Sequence, residues 1–253
     1  NRVLTTYFVI LHTMADFPIN ILFKTSTIAD GNMSFRIGDI EESLYNRKQF
    51  LLTNNIEFQN HVCMKCDHGE EIIVVNYGTK EIGATTQEEM LLAEVLITRE
   101  KGLALMLLTA DCLPVSFYDP VTKTIALAHC SRETISKMLP QNTVKYFQEY
   151  FEVIPSNLRI QIGPYIHTDS YSFPLPQPNL SPTIKPFIKR TGAHVCVDLA
   201  SACIQQLTQL GIPLENISVS DIDTATSPKY YSHYQSKKQN APEGRLATIL
   251  LLS

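Results

Sequence analysis

Three short segments carry side chains that their apolar surroundings do not call for. In Leu107-Leu108-Thr109-Ala110-Asp111-Cys112-Leu113-Pro114-Val115 a carboxylate and a thiol interrupt a strand-like run. Burying such groups costs free energy unless they are bonded or used, so a compensating role is expected. In Thr124-Ile125-Ala126-Leu127-Ala128-His129-Cys130-Ser131-Arg132 an apolar strand stops at His129, and strand ends that open onto loops are where scaffolds place functional groups. A third segment, Met64-Lys65-Cys66-Asp67-His68-Gly69, puts His68 at the edge of another strand. Two imidazoles and one thiolate are donors that zinc prefers, and a three-ligand set leaves the fourth position to water, as in a catalytic site. Spacing leaves other readings open. Cys112 could be inert and buried beside an Asp111 that caps a bend, and His129 could be a satisfied structural residue. Cys63-x-x-Cys66-x-His68 could be a zinc clip, although no fourth ligand stands nearby. Cys112 with His129 could also be a thiol nucleophile and its base, without metal.

These residues need elements to position them. Segments rich in β-branched and aliphatic residues predict strands at 71–75, 92–98, 103–108, 115–118, 124–129, 158–163 and 245–252. Helical spacing predicts helices at 40–54, 136–151 and 199–210, the last stopped by Leu210-Gly211. Asp119-Pro120-Val121-Thr122-Lys123 reads as a turn, since Pro120 presets φ and Asp119 can bond forward. That turn would join 103–118 to 124–129 as adjacent strands and bring Cys112 to His129. Pro174, Pro176, Pro178, Pro182 and Pro186 cannot donate ladder hydrogen bonds, so that stretch reads as an ordered loop or short turns. Strands and helices interleave without strict βαβ regularity. The expected fold is therefore α/β (α+β), a layered sandwich of mixed sheets, with residues 1–253 as one domain.

Thr109-Ala110-Asp111-Cys112-Leu113-Pro114-Val115, a turn, and then Ala128-His129 resemble the signature of the YfiH family, formerly labelled multicopper polyphenol oxidase or laccase-like. The resemblance runs along most of the chain. Upstream it takes in S-F-R-I-G-D-I-E-E-S-L-Y-N-R from Ser34 to Arg47. Downstream it takes in Ile162-Gly163-Pro164, Asp198-Leu199, Gln206-Leu207, Gly211 and Gly244-Arg245. It implies a YfiH-like fold, the one shared with cytotoxic-necrotizing-factor-like proteins. It also implies that His68, Cys112 and His129 form the metal and catalytic centre, with zinc, or alternatively copper, as the cofactor. Arg47 and Arg132 would hold phosphate through bidentate hydrogen bonds, and Asp111 would orient a ligand or bind substrate. The implied reaction is phosphorolysis of adenosine, inosine, guanosine or 5′-methylthioadenosine to free base and ribose 1-phosphate. Adenosine deamination is an implied second activity, because zinc can lower the pKa of its water toward about 7. Some positions depart from the family. Cys66-Asp67 replaces Gln-Val, His129-Cys130-Ser131-Arg132-Glu133 replaces His-Ala-Gly-Trp-Arg-Gly, and Ser232-His233-Tyr234 lacks the Arg of Ser-x-Arg. A divergent member that binds a nucleoside or a partner without turnover is the alternative those departures motivate. A copper-dependent polyphenol oxidase would need many histidines, whereas the chain has seven, spread out as His12, His61, His68, His129, His167, His194 and His233.

Bulk properties set the bounds on partners. The 253 residues are 44% hydrophobic and 18% charged with a net charge of −4, and neither sign forms runs, which argues against nucleic acid and anionic membranes as partners. No apolar stretch approaches the roughly 20 residues of a membrane span. The first 20 residues lack the features of a signal peptide and read as mature structure, an initiator methionine being lost or lying outside the sequence. A core this large does not depend on disulfides, so the six cysteines read as thiols of a cytoplasmic monomer.

Overall fold

The computed structural model describes residues 18–174, 181–240 and 242–253. The stretch 1–17, Pro176 and Pro178 lie outside the described residues. Two mixed sheets stack face to face. The first has five strands in the order β1 (Ile21–Thr25), β14 (Leu246–Leu252), β6 (Ala104–Thr109), β2 (His61–Lys65) and β4 (Leu91–Leu92). The second has six, in the order β13 (Ile217–Val219), β9 (Arg159–Ile162), β7 (Leu113–Asp119), β8 (Thr124–Cys130), β5 (Val95–Thr98) and β3 (Ile72–Val74). A third, small antiparallel sheet, β10 (Ser172–Pro174), β12 (His194–Val197) and β11 (Ile188–Thr191), packs through Phe173, Val197 and Ile188 on the core that the six-stranded sheet shares with its helices. Helix α1 (Ile40–Thr53) covers the outer face of the five-stranded sheet. Helices α2 (Arg132–Ser136), α3 (Leu139–Phe151) and α4 (Leu199–Thr208) cover that of the six-stranded sheet, and α5 (His233–Gln239) precedes β14.

The layering explains the sequence pattern. Leu105 and Leu107 of β6 face Leu96, Ile125 and Leu127 of the other sheet, while Ala104 and Met106 face Phe50 and Leu51 of α1. In β8, Ala126 and Ala128 point the other way, toward Val144 and Phe147 of α3. Both faces of these strands are buried, so they read as continuous apolar runs rather than alternating ones.

Two expectations are corrected. The run 103–118 is not one strand. It breaks at residues 110–112, where Asp111 takes φ +88, and the chain passes from β6 in one sheet to β7 in the other. The helix expected at 136–151 forms as α3 but begins at Leu139, set off from α2, which ends at Ser136, by Met138 with φ +66. Pro140 lacks the N–H that a continuous helix would donate to the Ser136 carbonyl, and it is accommodated in the first turn of α3 instead. Pro174 also lies in a strand rather than a loop, but on the edge of its sheet, where proline is tolerated. The turn over residues 119–123 forms as expected, with Asp119 accepting from the Thr122 N–H at 2.9 Å. Among the described residues no helix is long and apolar enough to cross a membrane, and all six cysteines are free thiols.

His61 of β2 makes the fold sensitive to acid. It is fully buried, its Nδ1 bonds the Phe58 carbonyl at 2.5 Å, and its Nε2 has no partner among the described residues. Burial, reinforced by the Arg47 charge, depresses its pKa to about 4. An unfolded chain protonates this group near pH 6.5, so stability is fully present above that pH and falls as pH drops toward the folded value. The expected loss is about 2 kcal/mol between pH 7 and 5 and about 3 kcal/mol by pH 4. Urea unfolding of the parent and of His61→Met at both pH values checks this. A difference between them that does not change with pH would remove His61 as the cause.

Candidate metal centre

The break at residues 110–112 builds the site. Asp111 holds it open: its carboxylate accepts from Thr224 Oγ1 at 2.8 Å and from the Tyr234 N–H at 2.7 Å, and its carbonyl accepts from the Ile166 N–H at 2.9 Å. One buried residue thus ties three distant segments to the end of β6 and leaves Cys112 at the mouth of β7. Across the ladder, Leu113 pairs with Cys130 and Pro114 with His129, so Cys112 and His129 sit on neighbouring strands as expected. His68 arrives on the loop after β2, in a left-handed conformation with φ +66.

The three meet. Each of His68, Cys112 and His129 offers a donor atom within 4.8 Å of the other two, and the imidazole centroids are 5.5 Å apart. Zinc bonds of about 2.0–2.3 Å place two tetrahedral ligands about 3.4–3.7 Å apart, so modest side-chain closure seats an ion. Burial pushes the Cys112 thiol up, but the charge and hydrogen bonds of His129 and His68 outweigh it and bring its pKa down to about 7. A thiolate is therefore available near neutrality, the form that binds metal. Burial alone would lower the pKa of His129, yet the facing Cys66 and Cys112 raise it well above the usual value.

Glu94, which sequence reasoning missed, organises both imidazoles. It is fully buried, in the residue before β5. One oxygen takes His129 Nδ1 at 2.7 Å, and the other accepts the N–H groups of Asp67 at 2.9 Å and Gly69 at 3.1 Å, on either side of His68. A carboxylate only accepts, so Nδ1 keeps its proton and Nε2 is the ring nitrogen able to ligate. Glu133 contacts His68 Nδ1 at 3.1 Å from the rim. Cys66, expected only as part of a clip with Cys63, instead joins Glu94 and His129 in a second group of donors within 4.8 Å, while Cys63 is buried among the residues under α1. The signal for Glu94 was present: one carboxylate inside Leu91-Leu92-Ala93-Glu94-Val95-Leu96-Ile97, the same kind of interruption that marked Asp111-Cys112.

Three assignments change. Arg47 is not free for phosphate. It is completely buried, donating to the carbonyls of Met33 at 2.8 Å and Gly83 at 3.0 Å and stacking 3.7 Å from the Phe35 ring centroid. Arg132 lies over the Phe173 ring and outside the cavity. The Asp111 carboxylate is engaged with Thr224 and Tyr234, so the carboxylates that orient the histidines are Glu94 and Glu133. The cavity itself, of about 270 Å³, has His68, Cys112 and His129 in its wall together with His233 and the cationic side chains of Arg36, Lys65 and Arg245.

The family model described as multi-copper polyphenol oxidoreductase laccase matches residues 23–253. The chain is similar to purine nucleoside phosphorylase YlmD of Bacillus subtilis (strain 168), with 25% identity over 227 residues covering 87% of this chain and 81% of the relative. It is also similar to purine nucleoside phosphorylase SCO2081 of Streptomyces coelicolor, with 24% identity over 226 residues covering 87% of each chain. Among solved structures, YlmD from Geobacillus stearothermophilus matches with a TM-score of 0.83, 23% identity and 92% of each chain covered. The hypothetical protein YfiH of Bacillus licheniformis matches with a TM-score of 0.79 and 23% identity, covering 88% of this chain and 85% of that one.

Proposed function

The chain belongs to the multi-copper polyphenol oxidoreductase laccase family, and from that premise we propose that it is a purine nucleoside phosphorylase of the cytoplasm. It would split adenosine, inosine, guanosine or 5′-methylthioadenosine with inorganic phosphate into free base and ribose 1-phosphate, with adenosine deamination as a second activity of the same centre. The observation that carries the reading is the convergence of His68, Cys112 and His129 on one cavity wall in a chain whose curated relatives are named for this activity.

The donor set fits zinc: one thiolate available near neutral pH, one imidazole whose proton is held on the side away from the cavity, and one half-exposed imidazole at the rim. Three ligands leave a position open, and zinc bound there supplies Lewis acidity. Glu94 keeps His129 in its ligating orientation and, through Asp67 and Gly69, fixes the loop that carries His68. His233 faces the same cavity outside the ligand set, with Nδ1 bonded to Glu243 at 2.8 Å, and is placed to give a proton to the departing purine. A multi-copper oxidase has less support, since among the described histidines His68, His129 and His233 alone line the cavity.

The purified protein is expected to release hypoxanthine from inosine, or adenine from adenosine and methylthioadenosine, only when phosphate is present, and His129→Ala is expected to abolish that release. Chromatography of the bases checks it. Stabilisation by inosine with no base released from any nucleoside would point instead to a binding protein, and metal analysis of the purified protein separates zinc from copper.

A further inference from the structure

Arg47 and Arg132 do not reach the cavity, but other cations do. Arg36, Lys65 and Arg245 line it together with three histidines, and no carboxylate does. A cationic cavity is not a by-product of composition in a chain of net charge −4. Carboxylates around it are engaged: Glu94 with His129, Glu133 with His68, Glu243 with His233 at 2.8 Å and Arg245 at 3.5 Å, and Asp111 with Thr224 and the Tyr234 N–H. Arg36 and Lys65 pair with no carboxylate among the described residues.

The wall is also rigidly assembled. Asn32 Oδ1 accepts the Arg245 N–H at 2.9 Å, the Met33 N–H donates to the Arg245 carbonyl at 3.0 Å, and Asn32 Nδ2 donates to the Ser34 carbonyl and to Ser43 Oγ. The buried Arg47 fixes the same segment through the Met33 carbonyl. Two chain segments bearing Arg36 and Arg245 are thereby stitched side by side at the cavity. The backbone under both arginines is thereby fixed, while Arg36 is exposed and Arg245 Nη1 donates to the Gly244 carbonyl at 2.8 Å and lies 3.5 Å from Glu243. The remaining guanidinium N–H groups suit the paired oxygens of a phosphate.

We propose that Arg36 and Arg245, with Lys65 beside them, form an anion subsite that holds inorganic phosphate in the same cavity as His68, Cys112 and His129. Its role as the co-substrate site rests on the phosphorylase reading, whereas its affinity for phosphate does not.

The test is calorimetric titration of the purified full chain with inorganic phosphate, and separately with adenosine 5′-monophosphate, at low ionic strength. Arg36→Gln and Arg245→Gln are each expected to weaken phosphate at least about 10-fold, as loss of a charge-assisted hydrogen bond does, while Arg132→Gln binds like the parent. Arg36 is exposed, so its variant remains informative if Arg245→Gln fails to fold. A parent that does not bind phosphate, parent-like affinity in both variants, weakening by Arg132→Gln alone, or a nucleotide bound 10-fold more tightly than phosphate would each overturn the proposal. Failure of the parent reading looks different. Phosphate bound through these arginines without any base release leaves the subsite standing and removes phosphorolysis. Phosphate-dependent release with an unchanged KM for phosphate in both variants does the reverse.

Discussion

Replacing Cys112 with serine is expected to lower phosphate-dependent base release by about 10³-fold, comparable to the removal of a positioned catalytic group, and to weaken zinc binding by more than about 100-fold. The substitution keeps size and hydrogen-bonding capacity but removes an acidity that the structure has arranged. The thiol reaches a pKa of about 7 only because His129 and His68 overcome the effect of burial, and a serine hydroxyl ionises far above that range in the same place. Folding should survive, since Cys112 is only partly buried and the fixed geometry around it comes from Asp111. Base release and zinc affinity, the latter from competition with a chromogenic chelator, check both halves. The same pair of measurements separates a metal ligand from a thiol nucleophile. If chelation abolishes base release in the parent and zinc restores it, Cys112 acts as a ligand. If the parent keeps working after exhaustive chelation while Cys112→Ser is dead, the metal reading falls and the nucleophile reading replaces it.

The legible part of this site was the part encoded by interruptions of short-range pattern. Asp111-Cys112 and His129 stood out because each breaks an apolar run, and the turn at 119–123 places β7 beside β8, which is why their meeting could be read from the chain. The layered mixed-sheet fold was legible for the same reason: strands such as β6 and β8, buried on both faces, leave uninterrupted apolar segments. What was not legible depends on long-range approach. Arg47 has the residue type of a phosphate ligand, but whether a helix arginine faces a cavity or two buried carbonyls is decided by the packing of α1 on a segment beginning at Met33 and on Gly83, 36 residues downstream of Arg47. The segments bearing Arg245 and Arg36, more than two hundred residues apart in sequence, are brought together by the bonds of Asn32 and Met33 to Arg245. Cys66 seemed to belong with Cys63, three residues earlier, yet alternation along β2 sends Cys63 toward α1 while Cys66, just past the strand, turns to His129. Glu94 interrupts an apolar run as Asp111 does, but the run around it has the pattern of an ordinary strand.

Glu94 carries the remaining large effect, and its isosteric replacement gives the sharper experiment. In Glu94→Gln the side-chain carbonyl would keep the oxygen position that receives the Asp67 and Gly69 N–H groups, because turning the amide round would set its NH₂ against two donors. The NH₂ must then face His129 Nδ1, now at 2.7 Å from a carboxylate oxygen. Nδ1 can meet a donor only by accepting, which moves the ring proton to Nε2 and takes away the lone pair that would ligate. Zinc affinity is therefore expected to fall about 10- to 100-fold, the usual range for losing the partner behind a metal-bound imidazole, and base release should fall with it, while thermal stability changes little. Glu94→Ala should behave differently. It leaves the buried His129 imidazole and the Asp67 N–H without a partner, the Gly69 N–H keeping Asp67 Oδ1 at 3.0 Å, and a stability loss of about 3 kcal/mol is expected. Zinc competition and thermal unfolding on both variants check the pair of expectations. A glutamine variant that binds zinc as tightly as the parent, with its fold intact, would show that Glu94 supports only the β5 edge and that His129 is held in its ligating form by Cys66 and Cys112.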